Sequence, residues 1–166
     1  MPKNYRVRIE KERHVFSAAH FITYNGDMCE PLHGHNYHVA AEVRGPLDEN
    51  QYVIDFVAIG DALQQILQQL DHRMLLPTGH PTIVVSAEDN EVEVSHGQRR
   101  WVFPRQDCVL LPVANTTAEL LARHIGRLLC TALQERTGAR PAYLSVEVDE
   151  CDGQWGICEF PENGDI

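Results

Sequence analysis

At 166 residues, 43% hydrophobic and 23% charged, the chain has the make-up of a globular domain spanning 1–166 and large enough to bury a core. Its formal charge of −10 works against nucleic acid or an anionic membrane as a partner. No apolar run nears bilayer-spanning length, and the start from Met1 to Arg6 carries no leader-like apolar stretch. Five widely spaced cysteines without a close CxxC pair suit reduced thiols, so a cytoplasmic location is expected.

The first predicted element is a long strand from Tyr5 to Phe21, where Val7, Ile9, Val15 and Phe16 interleave with charged residues. Thr23 to Leu32 reads as a loop, marked by Asn25-Gly26-Asp27 and Pro31. His35 to Arg44 is a second strand, ended by Gly45-Pro46. Antiparallel pairing of the two strands brings His20 near His33 and His35. Side chains two apart on a strand share a face, so the imidazoles of His33 and His35 can close on one ion, with His20 as a third ligand. Three neutral histidines without a fourth protein ligand describe a catalytic zinc, which keeps a position open for substrate. For an isolated HxH, a polar turn is the ordinary account; His20 and the nearby Cys29-Glu30 reverse those odds. His38 alternates out of register with His35 and is left out of the ligand set.

Cys29 lies four residues before His33 and Glu30 three before. A thiolate is a competent base only when a cation, metal or histidine lowers its pKa; zinc and His72 are available for that. The alternative is an inert buried thiol, and Glu30 is either a general base or merely solvated.

Asp55 to Leu70 reads as a helix with Asp55 as its N-cap and Phe56, Ile59, Leu63, Ile66, Leu67 and Leu70 on one buried face. Asp71-His72 follows directly. A carboxylate can orient a histidine for acid–base work, but adjacent residues often point apart, and a helix-terminal pair is as good an account. Thr82 to Phe103 reads as short strands, TIVVS, EVEVS and RRWVF. Thr116 to Arg136 is a second helix, with the stripe Leu120, Leu121, Ile125, Leu128, Leu129 and Leu133, capped by Asn115 or Thr116 and stopped by Gly138. Thr116 and Thr117 offer hydroxyls at its start. Tyr143 to Glu150 and Gln154 to Phe160 are the last strands, turning at Asp152-Gly153. Glu150 is either an inward carboxylate, fit for a bidentate hydrogen bond to an amidine-like N–H pair, or an exposed strand-end acid. The order describes an α+β layer.

Taken together, FSAAH (Phe16 to His20), CEPLHGHNY (Cys29 to Tyr37), VIDF (Val53 to Phe56), LDHRML (Leu70 to Leu75), NTTAE (Asn115 to Glu119) and VDEC (Val148 to Cys151) resemble, in family order, the tunnel-fold family of 6-pyruvoyl- and 6-carboxy-tetrahydropterin synthases. The resemblance implies a four-stranded antiparallel sheet with two helices on one face, ββααββ; here a β insertion at about 77–112 separates the helices. It implies zinc on His20, His33 and His35, a catalytic Cys29 working with Asp71 and His72, and Glu150, helped by Thr116 and Thr117, anchoring a pterin. The implied substrate is 7,8-dihydroneopterin triphosphate, bound at subunit interfaces of a homo-oligomer, typically a hexamer of two trimers.

Members making 6-carboxy-tetrahydropterin for queuosine and deazapurine synthesis resemble Cys-x-x-x-His-Gly-His, which Cys29 satisfies. A folate-pathway branch releasing 6-hydroxymethyl-dihydropterin carries Glu-x-x-His-Gly-His, which Glu30 satisfies. Animal-type pyruvoyl synthases place one more residue between Cys and His. The alternatives are that pyruvoyl activity, a non-catalytic zinc-containing pterin binder, or a zinc hydrolase of another nucleotide-derived ring. Two departures stand out: the stretch after Asp71-His72 is longer than in compact members, and Leu76 stands where many carry Asn.

Overall fold

The computed structural model describes residues 4–161; Met1 to Lys3, part of the start read above as lacking a leader, and residues 162–166 lie outside the described residues. β1 (Tyr5–His20) leads through the short β2 (Thr23–Tyr24) and β3 (Met28–Cys29) into β4 (His33–Gly45). β1 and β4 pair antiparallel from Tyr5↔Gly45 to His20↔His33, with one irregularity between Glu10 and Val15. The stretch expected to be plain loop thus holds a small hairpin, turned at Asn25 and Gly26, whose φ values of 45° and 91° are those an Asn-Gly turn supplies.

α1 (Phe56–Leu70) follows, capped by the Asp55 carboxylate, which accepts from Val57 N. Ile59, Leu63, Ile66, Leu67 and Leu70 are buried as their spacing requires, but Phe56 is 54% exposed and leaves the expected stripe. Next come β5 (Arg73–Pro77), β6 (Val84–Ala87), β7 (Glu91–His96), β8 (Arg99–Pro104), a 3-10 turn at Arg105–Asp107, and β9 (Cys108–Leu111). α2 (Ala118–Thr137) is capped by Thr117, whose hydroxyl accepts from Leu120 N, rather than by Asn115 or Thr116. Asn115 instead accepts from Thr116 N. Gly138 ends α2 at φ +77°, a left-handed position suited to glycine. Leu128, expected in its stripe, is 37% exposed. β10 (Tyr143–Cys151) and β11 (Gln154–Pro161) complete the described residues.

The main sheet runs β11-β10-β4-β1-β5-β9. Its first four strands are the expected antiparallel set. β5 and β9 extend it to six, with β5 parallel to both β1 and β9. Arg73 to Pro77 is a short apolar run whose periodicity cannot declare a strand, and β9 becomes one only by docking on it.

Alternation gives the sheet two different faces. Phe16, Tyr37, Val39, Leu75, Val146 and Val148 pack with α1 and α2 in one core. Met74, Leu76 and Cys108 point the other way, into a second cluster with Phe21, Ile83, Val92 and Val94, roofed by the three-stranded β6-β7-β8 sheet. Leu76 is fully buried there. α2 lies close on β11 because two glycines permit it. A Cβ on Gly126 would sit 2.2 Å from the Phe160 ring, and one on Gly156 2.5 Å from Glu119 N.

Candidate metal centre and active site

Three adjacent strands each bring ligating groups to the helix-covered face, beside the start of α2. β1 ends in His20, β4 begins with His33 and His35, and β10 supplies Glu150. The ligand atoms of these four residues lie within 4.8 Å of one another, the one such group among the described residues. The imidazole centroids are 4.8–5.2 Å apart. Glu150 therefore reaches the histidines themselves, its Oε1 3.4 Å from His35 Nε2, where three histidines alone were expected as ligands.

Outer partners fix which nitrogen faces the centre. His20 Nδ1 lies 2.9 Å from the Thr116 carbonyl and His33 Nδ1 lies 2.8 Å from the Pro31 carbonyl. A carbonyl can only accept, so each Nδ1 carries the proton and each Nε2 presents a lone pair. The buried His20 Nε2 and His35 Nε2 have no hydrogen-bond partner. Buried polar atoms are nearly always paired, so these two nitrogens fit the role of metal ligands. Burial pushes His20 down to about 4, with His33 and His35 adding to the effect against the Thr116 carbonyl; neutral imidazole is the form that ligates. Burial raises the Glu150 carboxyl, with His35 opposing.

Beneath the cluster lies Tyr37, a residue not singled out from the sequence. It is buried, stacked on Phe16 at 4.7 Å, and edge-on to His20 and His35 at 5.8 and 5.5 Å. The period-two run His33-His35-Tyr37 was the signal for it.

Glu30 stands at the rim. Its carboxylate accepts from Ile22 N at 3.1 Å and comes within 3.9 Å of His33 Nε2. Cys29, half-buried, donates its S–H to the Glu30 carbonyl at 3.5 Å. Burial pushes its thiol up, Glu30 and Asp27 add to that, and the Arg99 cation opposes it. Within the chain the cation acting on Cys29 is thus Arg99, not the expected His72, and the thiol is shifted away from ionisation. Arg99 was not legible, since β8 is far from Cys29 in sequence.

Asp71 and His72 do pair. Asp71 is the C-cap of α1; its carboxylate accepts from Ser17 N at 2.8 Å and meets His72 Nδ1 at 2.9 Å. Chiefly the Ser17 N–H, aided by His72, holds the Asp71 carboxyl below its ordinary range. His72 adopts φ +56°, a conformation uncommon outside glycine, and its side chain is 81% exposed. A cavity of about 590 Å³ is lined by both His35 and His72, with Ser17, Leu32, Asn36 and Phe103. Thr116 is buried; its carbonyl orients His20, and its hydroxyl donates to the Phe21 carbonyl at 3.4 Å. Thr117 is occupied as the cap of α2.

Among the described residues, no helix is long and apolar enough to cross a membrane. Residues 8–161 match the family model described as 6-pyruvoyl tetrahydropterin synthase. A Methanocaldococcus jannaschii protein named "Putative 6-carboxy-5,6,7,8-tetrahydropterin synthase" is 29% identical over 144 residues, 86% of this chain and 87% of that protein. Two solved structures share the whole architecture. The Plasmodium falciparum 6-pyruvoyl tetrahydropterin synthase superposes with TM-score 0.87 at 28% identity, covering 95% of this chain and 98% of that one. The Plasmodium vivax 6-pyruvoyltetrahydropterin synthase, in a variant replacing a catalytic glutamate by alanine, gives TM-score 0.88 at 26% identity, covering 96% and 99%.

Proposed function

The chain belongs to the 6-pyruvoyl tetrahydropterin synthase family, and on that premise we propose that it is a zinc-dependent lyase converting 7,8-dihydroneopterin triphosphate to 6-carboxy-5,6,7,8-tetrahydropterin. The observation that carries this reading is the convergence of His20, His33, His35 and Glu150 beside the Cys29-Glu30 pair; the name of the archaeal relative supports the product. His20, His33 and His35 would hold the metal, with the Nε2 atoms of His20 and His35 buried and free of hydrogen bonds. Bound there, zinc would act as a Lewis acid toward the hydroxyls of the substrate side chain.

Glu150 accepts the paired N–H groups of the pterin ring, which orients the side chain over the histidines. Cys29 moves protons at the side-chain carbons, allowing loss of triphosphate with uptake of one water and then carbon–carbon cleavage, in which the two outer carbons leave as acetaldehyde and the carbon on the ring becomes the carboxylate as the ring takes up the two electrons it gives. Asp71 keeps the proton of His72 on Nδ1, which leaves Nε2 free for proton transfer in the cavity His72 shares with His35. Thr116 supports the ring site through His20, and Thr117 keeps a hydroxyl proton to donate. The active assembly in this reading is a cytoplasmic homohexamer of two trimers with substrate at subunit interfaces, serving queuosine or deazapurine synthesis.

One observation favours a second product. The Glu30 carboxylate stands 3.9 Å from His33 Nε2, close enough to serve as the base itself, and the catalytic residue replaced in the P. vivax protein is a glutamate. Glu30 then gives 6-hydroxymethyl-7,8-dihydropterin alongside the carboxy product.

Mass spectrometry of the products after incubating the zinc-loaded protein with dihydroneopterin triphosphate tests both. Cys29→Ala is expected to lose the 6-carboxy product while keeping its zinc, and Glu30→Ala to lose only the hydroxymethyl product. Absence of any pterin product from the unmodified enzyme, or undiminished carboxy product from Cys29→Ala, would refute the assignment.

A further inference from the structure

The β7–β8 hairpin reaches over to the segment that carries Cys29 and Glu30. Its last rung pairs His96 with Arg99, and the two residues grip that segment at different points. Arg99 Nη1 donates to the carbonyls of both Cys29 and Glu30, at 3.0 Å each. His96 Nε2 lies 2.9 Å from Asp27 Oδ1, an oxygen that also accepts from the Thr82 hydroxyl.

The approach to the hairpin is tied down as well. His80 Nδ1 accepts from the N–H groups of Thr82 and Ile83 at 3.0 and 2.9 Å, so its Nε2 carries the proton and donates to Thr23 Oγ1 at 2.8 Å. Asn115, just ahead of α2, donates to the Thr23 carbonyl at 3.1 Å. Arg99 is itself held, its guanidinium carbon 4.7 Å from the centroid of the Trp101 ring, which stacks at 4.5 Å on Phe21, the neighbour of His20.

β2 and β3 are two residues long; a hairpin that short does not hold its own geometry in water. Glu30 N donates to the Ile22 carbonyl at 3.0 Å, and beyond that tie the position of Cys29 and Glu30 depends on what grips them from outside. We propose that Arg99 is a positioning residue: by holding the Cys29 and Glu30 carbonyls it fixes the backbone from which the Cys29 thiol and the Glu30 carboxylate project, and it makes the β7–β8 hairpin a working wall of the active site. This rests on the reading of Cys29 as the reacting thiol. The charged side chains facing that thiol are Arg99, Glu30 and Asp27, so loss of Arg99 leaves it with two anionic side chains and no cationic one.

The test compares Arg99→Ala and Arg99→Lys with the unmodified zinc-loaded enzyme. One readout needs no substrate: the pH of half-maximal iodoacetamide labelling of Cys29, followed on its own peptide by mass so that Cys151 does not contribute. Arg99→Ala is expected to move it upward by about one pH unit, and Arg99→Lys to restore most of the shift. The second readout is turnover: kcat falls by roughly 10- to 100-fold in Arg99→Ala while KM stays within about twofold. A labelling profile that superimposes on that of the unmodified enzyme, or an unchanged kcat, overturns the proposal. If Arg99→Ala does not fold, Arg99→Met, which keeps the apolar stem but neither the charge nor the donors, is judged by the same two outcomes. Full activity of Cys29→Ala would instead sink the reading of Cys29, and the labelling arm stands apart from it.

Discussion

His20, His33 and His35 stand on strands paired rung by rung at the site end, from Val15↔His38 to His20↔His33, whereas Cys29 and Glu30 lie on a two-residue strand and the loop beyond it. The histidines take their positions from the backbone ladder and a core sealed by Phe16 and Tyr37. The Cys29-Glu30 segment has only the Glu30–Ile22 pair of hydrogen bonds beside its two-residue strand, and takes the rest of its position from a few side chains that arrive from residues 80–99. A ladder fixes a site through the fold as a whole; a clamp fixes it through contacts that single substitutions can remove. The metal centre should therefore fail only when a ligand or its immediate seat is changed, and the thiol wall should fail while the metal stays.

The largest expected effect breaks the centre outright. In His33→Ala one of the three imidazole nitrogens is gone, and zinc content falls below about one-tenth of an ion per chain by elemental analysis after dialysis. His96→Ala, which removes the grip on Asp27, keeps its zinc at close to one ion per chain. Equal zinc loss in both would erase the distinction between ladder and clamp; full retention in His33→Ala would mean the ligand set is different.

An intermediate effect comes from the seat of His20. The start of α2 lies so close on β11 that a Cβ at Gly156 would stand 2.5 Å from Glu119 N and 2.6 Å from Ala118 C. Both are backbone atoms, so relief requires moving the helix start, and with it the Thr116 carbonyl that orients His20. Gly156→Ala is expected to lower stability by about 1–3 kcal/mol in urea unfolding and to weaken zinc binding roughly tenfold in chelator competition. Loss of stability with unaltered zinc affinity would show that the His20 seat does not depend on the helix start.

The same contrast explains what could be read beforehand. Strand alternation and the HGH spacing made the histidine convergence legible, because period two and an antiparallel pairing are local rules. The faces of α1 and α2 were legible for the same reason, apart from Phe56 and Leu128 at their edges. Arg99, His96 and His80 were not legible as partners of Thr23, Asp27, Cys29 and Glu30, since no local pattern ties residues some 57 to 70 positions apart. β5 and β9 were missed because four- or five-residue apolar runs become strands only when a neighbour offers an edge. The reach of Glu150 to His35 follows from β10 lying beside β4, a strand order the chain does not write locally.

Asp71 and His72 fall between the two regimes. Asp71 is anchored on the sheet by Ser17 N, while His72 projects into solvent at φ +56°. The folded Asp71 carboxyl is held below its ordinary range, first by the Ser17 N–H and then by His72. A depressed carboxyl adds stability above its unfolded value near 3.8, and that stability is lost as pH falls through the folded value. Asn at this position can still accept from Ser17 N but carries no charge, so Asp71→Asn removes only the charge-assisted part. The side chain is 40% exposed, and solvent screening limits the difference to no more than about 1 kcal/mol. Urea midpoints of the two proteins should therefore differ at pH 7 and converge as the pH falls below 3.8 and through the folded value. A gap that stays constant across that range would mean the Asp71 charge does not seat the dyad on β1, and His72 would then depend for its place on its own N–H, which donates to the Ser17 carbonyl at 2.6 Å.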